Sequence, residues 1–96
     1  MAGAAISSSR AERIRATLQL NLHAEVIDLI DDSHLHAGHA GARDGRGHFR
    51  VRIISGDFAG LRTLQRHQLV YRALGALMQT DIHALGIEAL TPEEAR

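Results

Sequence analysis

The length of chain between two strand-like segments constrains the fold more than any other feature of the sequence. Residues 48–55 alternate between apolar and polar side chains, and Ile82–Leu90 shows a second strand pattern. Between them, from residue 61 to 78, apolar side chains recur at helical spacing, as in one helix or a short turn leading into a longer one. Strands joined by a helical crossover lie parallel with a right-handed connection, so we expect a parallel pair.

The N-terminal half adds a helix and a third strand. Apolar residues at helical spacing predict a helix over about 10–24, and a β-branched run predicts a strand over 23–30. The long polar segment 33–47 then joins two strands that we expect to pair antiparallel. The resulting order, α-β-β-α(α)-β, predicts an α+β domain over 9–96, with a three-stranded mixed sheet and helices on one face. Residues 1–8 are predicted to form a disordered arm.

The absence of cysteine excludes several kinds of site and stabilisation. The chain has no Cys but seven His, and its eleven basic residues, all Arg, balance eleven acidic ones. This absence rules out stabilising disulfide bonds, thiolate nucleophiles and Cys-based zinc sites. No apolar run approaches the roughly 20 residues of a membrane span, and the N-terminus does not look like a secretory signal. We therefore expect a soluble, cytoplasmic protein with no membrane partner.

Three of the histidines lie in the polar segment 33–47, namely His34, His36 and His39. Neutral imidazole binds zinc, copper, nickel and iron, so such a tract is a candidate metal site. Its spacing fits no closed zinc pattern, however, and the residues alone favour a solvated polar loop.

The other histidines lie within predicted strands and helices. His83 alternates in phase with Leu85 and Ile87 on the third strand, a pattern more typical of a packed or rim side chain than of a ligand. His67 lies on the apolar stripe of the helix, and His48 follows the alternation of the second strand, so both are assigned to packing.

Arginine side chains form a candidate phosphate-binding stripe. Two lie on the polar side of the second strand and three on the long helix: Arg50, Arg52, Arg62, Arg66 and Arg72. Arginine favours bidentate phosphate contacts, but the zero net charge and the shortage of aromatic residues weigh against nucleic-acid binding. No sequence pattern pairs a nucleophile with a base, so we do not expect an enzyme.

Several short segments, spread in order over about residues 10–94, together resemble the BolA-like proteins. They are His48-Phe49-Arg50-Val51, Phe58-x-Gly60, Arg66-His67-Gln68-x-Val70-Tyr71, and Ile82-His83-Ala84-Leu85 followed by Thr91-Pro92. The resemblance implies an αββααβ fold similar to a class II KH domain without its G-x-x-G clamp. That order agrees with the one predicted from periodicity.

The resemblance also implies a cofactor, a partner and ligands. Proteins of this family pair with monothiol glutaredoxins and share a [2Fe-2S] cluster held on the other side by the glutaredoxin cysteine and glutathione. The implied ligands are His83 and a histidine of the loop after the first strand, which makes the chain similar to the BolA1-like type. That loop position falls on His36, with His34 and His39 flanking it and His39 kept as the second choice.

Two functions follow as expectations. The first is an adaptor for iron–sulfur assembly, trafficking or iron sensing, which holds no cluster when isolated because it lacks thiols. The second, also implied by the family, is a DNA-binding transcriptional regulator that uses the five arginines. We expect the free chain to be a monomer or a weak homodimer.

Overall fold

The computed structural model describes residues 9–32 and 47–96, and the predicted arm 1–8 lies outside them. Helix α1 spans Ser9–Asn21 and strand β1 spans Ala24–Asp31. Strand β2 spans Gly47–Ser55, and a 3-10 turn, Gly56–Phe58, follows it directly. Helices α2 and α3 and strand β3 complete the described chain, over Thr63–Leu74, Leu77–Thr80 and Ile82–Leu90.

The sheet has the predicted mixed topology, in the order β1-β2-β3. Strand β1 pairs antiparallel with β2, and β2 pairs parallel with β3. The alternation of β2 decides which of its side chains face the helices, because even and odd positions face opposite sides of the sheet. Phe49, Val51 and Ile53 are buried beneath the helices, whereas Arg50 and Arg52 lie on the other side.

The core lies between the helices and one face of the sheet. Helix α1 contributes Ile14 and Leu18, both fully buried, and α2 contributes Val70 and Leu74. Phe58, from the 3-10 turn, is also fully buried and belongs to the same core cluster. Burial of this apolar face, at about 25 cal/mol per Å² removed from water, is the main stabilising contribution.

The long helical pattern is split in two by a glycine. Helix α2 ends at Leu74, and Gly75 has φ 58°, a conformation that side-chain-bearing residues rarely adopt. The backbone N–H of Gly75 still donates to Tyr71 O at 3.0 Å, so the helix is closed before the chain turns into α3. The break brings the short α3 to the start of β3.

The C-terminal residues form one turn rather than a longer helix. Thr91 Oγ1 accepts from Glu94 N at 3.2 Å, and Glu94 Oε1 accepts from Thr91 N at 2.9 Å. This reciprocal pair is a capping box, as expected for a threonine followed three residues later by a glutamate.

Candidate functional site

Three strand ends meet at one edge of the sheet. Strand β1 ends at Asp31, while β2 and β3 begin there with Gly47 and Ile82, which are partners in the parallel ladder. Asp32 N donates to His48 O at 2.7 Å, and Gly47 N donates to Asp81 O at 2.9 Å. The chain therefore leaves for residues 33–46 and returns from them beside the start of β3.

A change of register at this edge brings His83 next to His48. Gly47 pairs with Ile82 but His48 pairs with Ala84, so His83 is the additional residue of a β-bulge. Bulges redirect side chains, and they recur beside functional sites. The His48 and His83 rings lie with their centroids 5.0 Å apart and their planes tilted by 52°.

The bulge also changes the expected position of the His83 side chain. The alternation pattern placed His83 in phase with Leu85 and Ile87, which are partly buried against the core. In the structure His83 is exposed, because the extra residue takes it out of that phase. His48, assigned to strand packing, is half-buried and belongs to the same edge. The sequence signal for this location was the position of His48 directly after the histidine-rich segment 33–47.

The carboxylate of Asp81 ties this edge to helix α1. Asp81 is buried, and its carboxylate accepts hydrogen bonds from Thr80 Oγ1 at 2.6 Å, from Arg13 Nη2, and from Arg10 Nε at 3.4 Å. The Thr80 hydroxyl, with the two guanidinium groups, holds the pKa of Asp81 below its ordinary value, although burial acts in the opposite direction. Sequence reasoning missed this group, because no pattern relates residue 81 to residues 10 and 13.

The remaining predicted metal ligands, His36 and His39, lie outside the described residues, as does His34. Within 9–32 and 47–96 no group of three or more His, Asp or Glu side chains is arranged to hold a metal ion. His67 is half-buried on α2, consistent with a packing role. The described part of the site is therefore the pair His48 and His83.

Three of the five predicted phosphate-binding arginines are engaged by carboxylates. Arg50 Nε lies 2.6 Å from Asp32 Oδ2, and Arg52 Nε lies 3.2 Å from Glu88 Oε1. Arg66 is paired with Glu94 and is mostly buried. The other two are Arg62, directly before α2, and Arg72 within it; both are exposed and form no ion pair within the described residues.

The face of the sheet away from the helices carries charged side chains and a groove. Arg52 stands in register between Asp28 on β1 and Glu88 on β3. On the same face, Arg50 is in register with Gly86 of β3. A Cβ atom added at Gly86 would lie 3.4 Å from Arg50 Cγ, so the Arg50 side chain lies close to the glycine backbone. The groove has a volume of about 710 Å³ and is separate from the histidine pair, which does not line it.

No helix among the described residues is long and apolar enough to cross a membrane.

Comparison with known proteins gives consistent matches over most of the chain. Residues 18–94 match the family model described as BolA-like protein. Protein BOLA1, chloroplastic, of Arabidopsis thaliana is 41% identical over 90 residues, which cover 91% of this chain and 56% of that protein. The chain thus spans little more than half of that relative's length.

A bacterial relative and a solved structure extend the comparison. The DNA-binding transcriptional regulator BolA of Haemophilus influenzae is 35% identical over 81 residues, covering 84% of this chain and 76% of that protein. The solved BolA domain of SufE1 from Arabidopsis thaliana superposes with a TM-score of 0.78 at 39% identity, covering 90% of this chain and 95% of that domain.

Proposed function

The chain belongs to the BolA-like protein family, and from that premise we propose that it is an adaptor that shares a [2Fe-2S] cluster with a monothiol glutaredoxin. The observation that carries the proposal is the exposed His83, at the edge of the sheet where the chain leaves for residues 33–46 and returns from them. In this proposal His83 is one ligand, and His36 or His39 is the second.

The donor chemistry of the chain fits such a shared cluster. Neutral imidazole is a known ligand of [2Fe-2S] centres, where two His replace two Cys on one iron. The chain has no Cys, so any thiolate must come from another molecule, and glutaredoxin and glutathione carry thiols. Histidine ligation supplies a higher reduction potential than full thiolate ligation.

The described residues contribute the position of His83 in this role. The backbone bonds Asp32 N to His48 O and Gly47 N to Asp81 O hold both ends of the 33–46 segment at the edge where His83 is exposed. The bulge turns His83 outward, where a second protein has access to it. This is a binding role, in assembly, trafficking or sensing, and it requires no catalytic group in the chain.

The test is reconstitution with the proposed partner. The chain is mixed anaerobically with a monothiol glutaredoxin, glutathione, iron and sulfide, and the complex is followed by visible circular dichroism. We expect a cluster spectrum that differs from that of glutaredoxin alone and is lost in His83→Ala. Of the loop variants His34→Ala, His36→Ala and His39→Ala, we expect His36→Ala to have the largest effect.

Two controls make the test decisive. His67→Ala removes a histidine of α2 away from this edge, and it should leave the spectrum unchanged. The isolated chain, treated in the same way without glutaredoxin, should retain no stable [2Fe-2S] cluster. A wild-type spectrum in His83→Ala, or a stable cluster on the isolated chain, would refute the proposal.

A second candidate function is DNA binding, which two observations support. One relative is described as a DNA-binding transcriptional regulator. In addition, Arg62 at the start of α2 and Arg72 within α2 are exposed, and Tyr71, next to Arg72, is 41% exposed. Arginines of this kind contact phosphates, and an exposed aromatic ring offers a stacking surface.

The two candidates respond to different substitutions. If α2 binds DNA, Arg62→Ala/Arg72→Ala should weaken binding and reduce the slope of log K against log salt by about two. Arg52→Ala should have a smaller effect, because Arg52 is paired with Glu88. Equal DNA affinity and salt slope in the wild type and the Arg62/Arg72 variant would exclude this face.

A further inference from the structure

The outward surface of helices α1 and α2 carries charge of one sign. The sequence has no acidic residue over 13–24, which covers most of α1, or over 58–80, which includes α2 and α3. Of the arginines in these stretches, Arg62 and Arg72 are exposed and form no ion pair within the described residues. A chain whose formal net charge is zero therefore presents positive charge on its helical side.

Large apolar side chains are exposed on the same two helices. Leu20 on α1 is 85% exposed, and Leu64 on α2 is 68% exposed. Leu64 and Tyr71 are two helical turns apart, so they lie on one side of α2, and Arg72 follows Tyr71 directly. Three of the four large apolar side chains that are exposed in the described part of the chain thus belong to α1 and α2.

A second groove lies between these helices. It is lined by Asn21, Leu69, Arg72 and Ala73, and its volume is about 300 Å³. The side-chain amide of Asn21 donates to Ala73 O at 2.8 Å, so the ends of α1 and α2 are held together beside it. Leu69 and Ala73 supply apolar contact, while Arg72 supplies an exposed guanidinium. The groove therefore offers an aliphatic group and a carboxylate adjacent places to bind.

We propose that this helical docking surface, which comprises the groove with Leu20, Leu64 and Arg62 around it, binds an acidic segment of a partner protein that also carries aliphatic side chains. Complementary charge steers such a segment and fixes its register, and a carboxylate binds the planar guanidinium of Arg72 in bidentate geometry. Aliphatic side chains of the partner bury the exposed leucines, at about 25 cal/mol per Å² of apolar surface removed from water.

The exposed leucines favour a protein over DNA at this surface. Arginines alone are equally suited to phosphate and to carboxylate. Most contacts to DNA go to phosphate and sugar, which would leave Leu20 and Leu64 without apolar contact. Tyrosine and arginine together, as at Tyr71 and Arg72, are typical of the residues that contribute most to protein–protein binding.

The groove lies at the other end of the sheet from the histidine edge. Strand β2 begins at that edge with Gly47 and ends at Ser55, about 26 Å away at about 3.3 Å per residue. Ser55 Oγ donates to His23 O at 2.8 Å, which places the end of α1 at the far end of the sheet. A partner bound there leaves His83 accessible, so this inference does not depend on the glutaredoxin proposal.

The experiment is a titration of a fluorescent acidic peptide with the full chain, followed by anisotropy and by backbone amide resonances in NMR. The peptide, of about twelve residues, consists of glutamate, alanine and leucine, with leucines three and four positions apart to match a helical face. We expect saturable binding that weakens as salt rises, with shifts at residues 17–21 and 64–73. Leu20→Ser, Leu64→Ser and Arg72→Glu should each weaken binding at least about fivefold.

Matched variants elsewhere on the molecule are the controls. Ile30→Ser removes an exposed aliphatic side chain from β1, and Arg96→Glu makes the same change of charge at an exposed C-terminal residue. Both should bind the peptide as the wild type does, whereas a peptide with glutamine in place of glutamate should bind more weakly to every variant. Unfolding curves check that each variant is folded, and the spectrum of the cluster shared with glutaredoxin should be unchanged in Leu20→Ser and Leu64→Ser.

Four results would overturn the proposal. The first is the absence of saturable binding at millimolar peptide, and the second is wild-type affinity in the leucine and Arg72 variants. The third is binding of a DNA duplex, but not of the peptide, that is lost in Arg72→Glu and kept in Leu20→Ser and Leu64→Ser, which would assign the surface to DNA. The fourth is a wild-type dimer in sedimentation that Arg72→Glu dissociates, which would assign the surface to a second copy of the chain.

Discussion

Arg66 on α2 forms a bidentate ion pair with Glu94 in the C-terminal turn. Its Nη1 donates to Glu94 Oε1 at 2.6 Å and its Nη2 donates to Oε2 at 3.1 Å. The same guanidinium donates to Leu61 O at 2.8 Å and to Ala89 O at 3.0 Å. Arg66 therefore joins α2 to the segment before it, to the end of β3 and to the last turn, through four hydrogen bonds within the fold.

This ion pair predicts a loss of stability in acid. Hydrogen bonds from Arg66 and from Thr91 N lower the pKa of Glu94 to about 2, from an ordinary value of 4.5. A lowered folded-state pKa stabilises the fold above the unfolded pKa, and this contribution disappears as the pH falls from about 4.5 towards 2. Between pH 5 and 2.5 the melting temperature should fall further for the wild type than for Glu94→Gln.

The neighbouring exposed glutamate is the control for that measurement. Glu93→Gln should follow the wild-type pH dependence, since Glu93 makes none of these contacts. Parallel curves for the wild type and Glu94→Gln would show that the pair does not couple to folding.

A second prediction concerns the buried carboxylate of Asp81. Asp81→Asn keeps the shape but removes the charge that Arg10 and Arg13 face. We expect the free energy of unfolding in urea to fall by about 1–3 kcal/mol, the usual cost of weakening hydrogen bonds to a charged group. Asp28→Asn, on the exposed face of β1, should change it by less than about 0.5 kcal/mol. Equal effects of the two substitutions would contradict the role assigned to Asp81.

A third prediction compares two glycines. Gly75 has φ 58°, so Gly75→Ala should destabilise the protein by about 1–3 kcal/mol. Gly56 begins the 3-10 turn with no positive φ, and an added Cβ there meets nothing within 4 Å. Gly56→Ala should therefore change the stability by less than about 1 kcal/mol. Chemical denaturation of both variants checks the difference, which would vanish if the helix break at Gly75 were tolerant of a side chain.

The strands and their connections were predictable because each depends on local alternation and on chain length. The bounds of β3 agree with the sequence pattern, and β1 and β2 each differ from it by one residue. The parallel pairing of β2 with β3 follows from the helical crossover between them. These features need no knowledge of contacts between distant residues.

The site depends on details that no local pattern contains. The bulge that exposes His83 arises from a one-residue offset between two strands far apart in the chain. The engagement of Arg50 by Asp32 and of Arg66 by Glu94 likewise appears only after folding. Sequence reasoning could therefore nominate the histidines and arginines, but it could not show which of them are exposed and unengaged by carboxylates.

The central claim is that an imidazole of this chain binds the shared cluster, and nitrogen hyperfine coupling tests it most directly. The chain is labelled with ¹⁵N-histidine, reconstituted with unlabelled monothiol glutaredoxin and glutathione, and the reduced cluster is examined by pulsed electron paramagnetic resonance. We predict ¹⁵N couplings from the labelled chain that are present with His67→Ala and lost with His83→Ala. A cluster that forms in the complex without any ¹⁵N coupling would contradict the account.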